Sequence, residues 1–283
     1  NNTGNNNTAM GAKALQFNTT GEDNCAIGTY SLNANTTGQA NTAMGTGSLS
    51  TNTTGSSNCA FGAGSLGSNT GGAFNTAIGT FVLSNNSSGS YNTATGFAAL
   101  GVNTVGNFNT ANGNGALSKN FTGSLNTATG YLSLSSNTTG KGNTATGNHS
   151  LFINSVGNYN TANGDSALYI NYSGSFNTAT GYKALLQNSG TGNTAIGTSA
   201  LLSNSTGQWN VALGYSAGNS YNGNYNTIVG AFANITANNI TNSVAVGYNA
   251  TVDASNKIRI GSNSINSIGG QVGWTIYSDQ RVK

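Results

Sequence analysis

The chain has 283 residues, of which only 13 are charged (8 Lys or Arg and 5 Asp or Glu), for a net charge of +3. A globular domain of this length carries roughly a quarter charged residues. The eight basic residues form no stripe, and four of them (Lys257, Arg259, Arg281 and Lys283) crowd the C-terminal end. This argues against nucleic-acid binding. The chain lacks the long apolar run that a spanning helix needs, so membrane insertion is not expected.

The chain opens on Asn1-Asn2-Thr3-Gly4, which reads as the tail of a preceding repeat. It is therefore expected to be a fragment or a processed product. The phrase Asn-Thr-Ala-x-Gly begins at Asn7 and returns at Asn24, Asn41, Asn58, Asn75, Asn92, Asn109, Asn126, Asn143, Asn160, Asn177, Asn193, Asn210 and Asn226. The full unit is N-T-A-x-G-x-x-[AS]-L-x-x-N-x-x-G-x-x. With 42 Gly, no Pro and abundant Asn, Thr and Ser, the composition alone would suit disorder. The strict recurrence of Leu at Leu15, Leu32, Leu49 and onward to Leu201 argues otherwise, because a disordered segment has no reason to hold register. A unit this short suits one coil of a β-solenoid, in which stacked neighbours bury one another's apolar residues.

Within the coil, the expectation is a strand on Thr-Ala-x, a turn at Gly, a second strand through x-[AS]-Leu, and a second turn at Asn-x-x-Gly. Asn and Gly are read as turn residues because both tolerate left-handed backbone. Period-2 alternation places Ala inside and x outside. The x position is apolar at Met10, Ile27, Met44, Phe61 and Ile78. It turns polar at Thr95, Asn112, Thr129, Thr146, Asn163 and Thr180, then apolar again at Ile196, Leu213, Val229 and Val246. An outward apolar ladder on a lone chain is a liability. It points to a homotrimer with x turned to the shared axis, the polar middle setting register as a buried Asn does in a coiled coil. The rival placement has x inside a monomeric solenoid.

Cys25 and Cys59 both fall at the Thr position, two coils apart. Their expected separation of ~10 Å at ~4.8 Å per coil is too great for a disulfide within the chain, so they are read as unpaired, with a bridge between chains as the alternative. Aromatic residues precede the phrase at Phe74, Tyr91, Phe108, Tyr159, Phe176, Trp209 and Tyr225. They form a candidate ligand-binding edge that either stacks on neutral glycans or packs between chains of a trimer. The lone His149 and five scattered acids give no catalytic pair. No cofactor or metal motif is present. The solenoid is not expected to be an enzyme.

Past Asn226 the pattern loosens, and Asn242–Ala250 (NSVAVGYNA) resembles the head repeat of trimeric autotransporter adhesins. That resemblance implies a parallel left-handed β-roll in a trimer. At the end, Ser278-Asp279-Gln280-Arg281-Val282-Lys283 follows Gly269-Gly270-Gln271-Val272-Gly273-Trp274. This run resembles the entry to the endosialidase-type intramolecular chaperone. The resemblance implies that Ser278 is the nucleophile and Lys283 the base of a self-cleavage between Ser278 and Asp279.

The division expected is a solenoid over 1–241, a diverged β-roll cap and neck over 242–277, and the start of a chaperone over 278–283. The overall expectation is an all-β rod of about 14 coils. Its function would be that of an extracellular fibre or spike on a virion tail or cell surface, with a host glycan or protein as partner. The alternatives are a bacterial surface adhesin or polymerising filament, and an ice-binding solenoid with ordered Thr ladders.

Overall fold

The computed structural model describes residues 3–220 and 222–268. Each coil contributes one three-residue strand on Thr-Ala-x, from Thr8–Met10 and Cys25–Ile27 through Val244–Val246 to Ile258–Ile260. These strands pair in sequence order as a single 16-stranded sheet. Every pairing is parallel and in register; over the regular coils Thr stacks on Thr or Cys, Ala on Ala and x on x, as in Thr110↔Thr127, Ala111↔Ala128 and Asn112↔Thr129. The chain is thus a parallel β-solenoid of about 15 turns, with no helix among the described residues. At ~4.8 Å per coil the rod is ~70 Å long. The turn beyond the expected 14 comes from Ile258–Ile260, the strand that the apolar alternation over 256–261 predicts; it pairs on Val244–Val246, with Gly261 in the place of the phrase Gly.

The inner Ala of each strand is fully buried from Ala26 onward, and Leu32, Leu49, Leu66 and their equivalents through Leu185 are at zero exposure. The Thr and x positions on either side of Ala both face outward. Met10 (61% exposed) and Ile78 (44%) establish that x lies outside the coil, not within it.

Over the regular coils the second strand expected through x-[AS]-Leu is not formed; short pairing at or just past the Leu place occurs at Ile153, Ile170 and Gln187 and between Asn234–Ile235 and Thr251–Val252. The core Leu sits instead at a left-handed corner, with φ of 46° at Leu32 and 52° at Leu117. Left-handed backbone costs a residue with a side chain ~1–2 kcal/mol. Burying the Leu side chain contributes ~1.5–3 kcal/mol, enough to hold the corner. An extended chain here would run past the coil, whereas the corner turns Leu inward. The Leu N–H still bonds to the next coil, as in Leu32 N–H to Ser48 C=O at 3.0 Å. Coil-to-coil backbone bonds therefore continue around the turns.

The two Asn positions are also not the left-handed turn residues expected. Both ranks are buried, and neither adopts positive φ over the regular coils. They form two internal amide ladders. In the first, the Asn126 Nδ2 donates to Asn109 Oδ1 (3.2 Å) and to the Gly140 carbonyl (2.9 Å). Its own Oδ1 accepts the Asn143 backbone N–H (3.0 Å) and Nδ2 (3.2 Å). In the second, Asn137 Nδ2 donates to Asn120 Oδ1 (2.7 Å) and to the same Gly140 carbonyl (3.0 Å). The interior thus combines two hydrogen-bonded amide columns with columns of Ala and Leu, Ser standing in for the second Ala in several coils. Buried polar groups are tolerated because the ladder satisfies them. The second Gly of the unit is dictated by this packing: a Cβ at Gly123 would lie 2.3 Å from Asn120 Oδ1 and 2.4 Å from the Gly140 carbonyl oxygen.

Toward the C-terminus the rule bends without breaking the stack. Gly218 stands where a core Leu is expected, and Ile228 stands where the next inner Ala is expected. A Cβ on Gly218 would lie 2.9 Å from Ile228 Cδ1, so the larger residue fills the space the smaller one leaves. Ser243 takes the phrase-Asn place, its N–H donating to Asn226 Oδ1 at 3.1 Å. Arg259 then occupies the inner-Ala place in the last strand, paired on Ala245. Its side chain bonds the Gly261 carbonyl and Asn263. A charged residue at that place ends the apolar column. The same sheet crosses the expected boundary at residue 242.

Candidate functional site

Three surfaces stand out from the repeat. The first is the outward face of the long sheet. Its two ranks, Thr and x, carry no charged residue from Thr8 to Val246. The free cysteines Cys25 and Cys59 lie on this face, separated by the strand that carries Thr42. Burial pushes the Cys59 thiol up from its ordinary value. From Thr93–Thr95 to Thr178–Thr180 both ranks are hydroxyl or amide. At either end of the rod the x rank is apolar.

The second surface is the aromatic edge. Phe74, Tyr91 and Phe108 stack face to face, with ring centroids 4.9 and 5.0 Å apart and planes within 9°. Tyr159 and Phe176 stack likewise at 5.5 Å. These contacts join neighbouring coils of one chain. The stacked faces cover one another, so an inner ring such as Tyr91 offers an edge and not a face. Tyr159 has Phe176 on one side, and its Cδ1 and Cε1 lie so near Gly142 that a Cβ there would come within 2.8 Å of both. Trp209 lies over Gly192 in the same way, and Tyr225 holds the same rank one coil on, 62% exposed. Each stacked pair contributes ~0.5–1.5 kcal/mol, so this rank stabilises the stack from outside.

The third surface was not singled out as a site by the sequence. On one side of the middle coils, Tyr131, His149, Phe152 and Tyr169 gather within 6.0 Å, centroid to centroid, around His149. Asp165 and Lys183 follow in the next two coils. Bonds from Ser166 (2.6 Å) and Asn148 (2.9 Å) hold the Asp165 carboxyl below its ordinary value, and His149 and Lys183 add to the effect. Lys183 lies over the Tyr182 ring at 4.8 Å, and contact with Tyr182 raises its ammonium. His149 is half-buried at this edge. The signal for this cluster was present: the residue after the core Leu is Ser or Gly at Ser50, Gly67, Ser84, Gly101, Ser118 and Ser135. It then becomes Phe152, Tyr169, Leu186 and Leu202.

Ser278, Lys283 and the Ser278–Asp279 bond lie outside the described residues. Among the described residues no three His, Cys, Asp or Glu side chains are grouped to hold a metal, and no helix is long and apolar enough to cross a membrane. No protein-family model matches the chain, and no curated protein does.

Proposed function

We propose that the chain is the shaft of an extracellular attachment fibre or spike. Three copies of a left-handed β-roll associate side by side through their Thr and x ranks, and the shaft holds an adhesive surface away from a virion tail or cell. The observation that carries this reading is the charge-free outward face of one uninterrupted sheet, apolar at both ends and polar between. A strip three residues wide and ~70 Å long presents on the order of 700 Å², close to the ~800 Å² per partner of a standard interface. Water-facing Met, Ile and Phe are explained if a second chain covers them, and the Thr and Asn block then opposes slippage along the axis.

The purified chain is expected to run as a trimer by light scattering. Ile78→Lys and Ile196→Lys are expected to weaken association at least a hundredfold with the circular dichroism unchanged, because each places an unpaired charge in a covered face. A monomeric parent chain, or lysine variants with the parent's mass, would remove the shared-axis reading.

The resemblance of Ser278–Lys283 to the chaperone entry supplies the assembly step. In a chain that continues past Lys283, cleavage between Ser278 and Asp279 is expected, and Ser278→Ala is expected to leave the longer product intact on a denaturing gel. Processing that persists in that variant overturns this step alone. A surface adhesin or filament would use the same rod with a different anchor. The ice-binding reading rests on the paired hydroxyl rows of the middle strands, such as Thr127 and Thr129. It competes for the same face as the trimer, and thermal hysteresis of the purified rod separates the two.

A further inference from the structure

We propose that the groove between the coils of Tyr169 and Leu186 is a glycan subsite that receives one sugar ring against the Tyr169 face. The inference rests on the attachment reading and names the partner chemistry that the shaft presents. Phe152 covers one side of the Tyr169 ring, with centroids 5.0 Å apart and planes at 17°. The groove is lined by Ser166, Tyr169, Ile170, Lys183, Leu186 and Gln187, and by no residue of the Phe152 coil. It therefore lies on the side of Tyr169 away from Phe152. The stacked edge at Phe74, Tyr91 and Phe108 has no such arrangement around its central ring.

The backbone changes at the same place. Ile153, Ile170 and Gln187 form successive parallel bridges where most coils have only a turn. Coils that close with Ser or Gly after the core Leu are as well stacked as these three. Phe152, Tyr169 and Leu186 are therefore not needed to build the rod. Their bulk, the extra bridges and the cluster of His149, Asp165 and Lys183 coincide in one stretch of an otherwise uniform surface.

The chemistry of the lining selects the ligand class. Tyr169, Ile170 and Leu186 give an apolar floor, and Lys183 and Gln187 supply donors at the rim, with Gln187 also an acceptor. The Ser166 hydroxyl gives its proton to Asp165, so this lining residue has only acceptor capacity left to offer. A pyranose matches this: its C–H face lies on the electron-rich ring face, and its hydroxyls both donate and accept at the rim. The groove's volume of about 380 Å³ is at the small end of ligand sites, ~300–1,000 Å³. That suits one or two sugar rings rather than a peptide strand.

The test is a printed glycan array covering hexosides, N-acetylhexosaminides, uronides and sialosides, probed with the full chain and followed by titration of the best-bound free glycan. The parent chain is expected to retain at least one pyranose class. Tyr169→Ala and Gln187→Ala are each expected to weaken it at least tenfold, with melting temperature and circular dichroism kept, while Tyr159→Ala binds as the parent does. Retention of no glycan overturns the proposal, as does equal binding by the Tyr169 and Gln187 variants. Loss only in Tyr159→Ala also overturns it, by placing the ligand on the other edge. A monomeric chain that binds through Tyr169 would leave the subsite standing and remove the trimeric shaft.

Discussion

Replacing Asn126 by Asp is expected to destabilise the middle of the rod by on the order of 4–6 kcal/mol, although the two side chains have the same shape. The Asn126 Nδ2 gives one proton to Asn109 Oδ1 and one to the Gly140 carbonyl. Aspartate sets an oxygen against both acceptors. Two buried hydrogen bonds are lost at ~1–3 kcal/mol each, and a charge with no counter-ion is left inside, which costs ~3–5 kcal/mol where a buried pair is broken. The bonds that Asn143 makes to the Oδ1 of residue 126 survive, which keeps the total below the sum of these terms.

Burial raises the folded-state pKa of such a carboxyl above its unfolded value. The protonated form is then the tolerated one, so the deficit shrinks as pH falls through the folded pKa and is full above it. Because each coil touches only its neighbours, the loss localises. Hydrogen exchange is expected to accelerate in the coils of Asn109, Asn126 and Asn143 before the ends. A variant that matches the parent in urea midpoint and exchange would show that the amide ladder does not hold the stack.

Much of the fold can be read from the repeat. Recurrent Ala and Leu at fixed spacing identified the apolar column, and alternation correctly placed x outside. The Asn ranks were legible in position but not in role. A turn position and a ladder position recur at the same spacing, so period alone does not separate them. Identity does: turns accept Asp, Ser or Gly, yet the phrase residue is Asn at every copy from Asn7 to Asn226. Only a side chain with one donor end and one acceptor end can repeat head to tail on itself.

The left-handed Leu was not legible, because Leu at positive φ is disfavoured locally and persists only through burial in the stack. The aromatic edge was legible as a ladder, and its rings do stack from coil to coil. The groove at Tyr169 was missed for a related reason. A reading tuned to what repeats passes over the place where successive coils depart from the rule together.

Gly79→Ala is expected to cost ~4 kcal/mol or more, whereas Gly47→Ala is expected to cost ~1 kcal/mol. The two glycines both have positive φ, but for different reasons. Gly79, the last residue of the phrase, has φ 125°, a region that other residues enter at a cost of ~1–3 kcal/mol. A Cβ there would also lie 1.9 Å from the Gly96 carbonyl oxygen and 3.2 Å from Val82 Cγ2. The obstacle is the backbone of the next coil. It cannot retreat without stretching the bond from Gly96 N–H to Ile78 C=O, at 2.9 Å, and the strand pairing beside it. Gly47 has φ 68° with nothing within 4 Å of a Cβ. Other coils place Tyr30, Leu132, His149 and Lys183 at the same rank, all at positive φ. Alanine at Gly47 therefore meets only the ordinary left-handed cost of ~1–2 kcal/mol, partly offset by the lower entropy of its unfolded chain. Urea denaturation of the two variants side by side checks the contrast. Equal losses would mean that the glycine of the phrase is kept for its dihedral angle alone, and that close approach between coils does not govern the repeat.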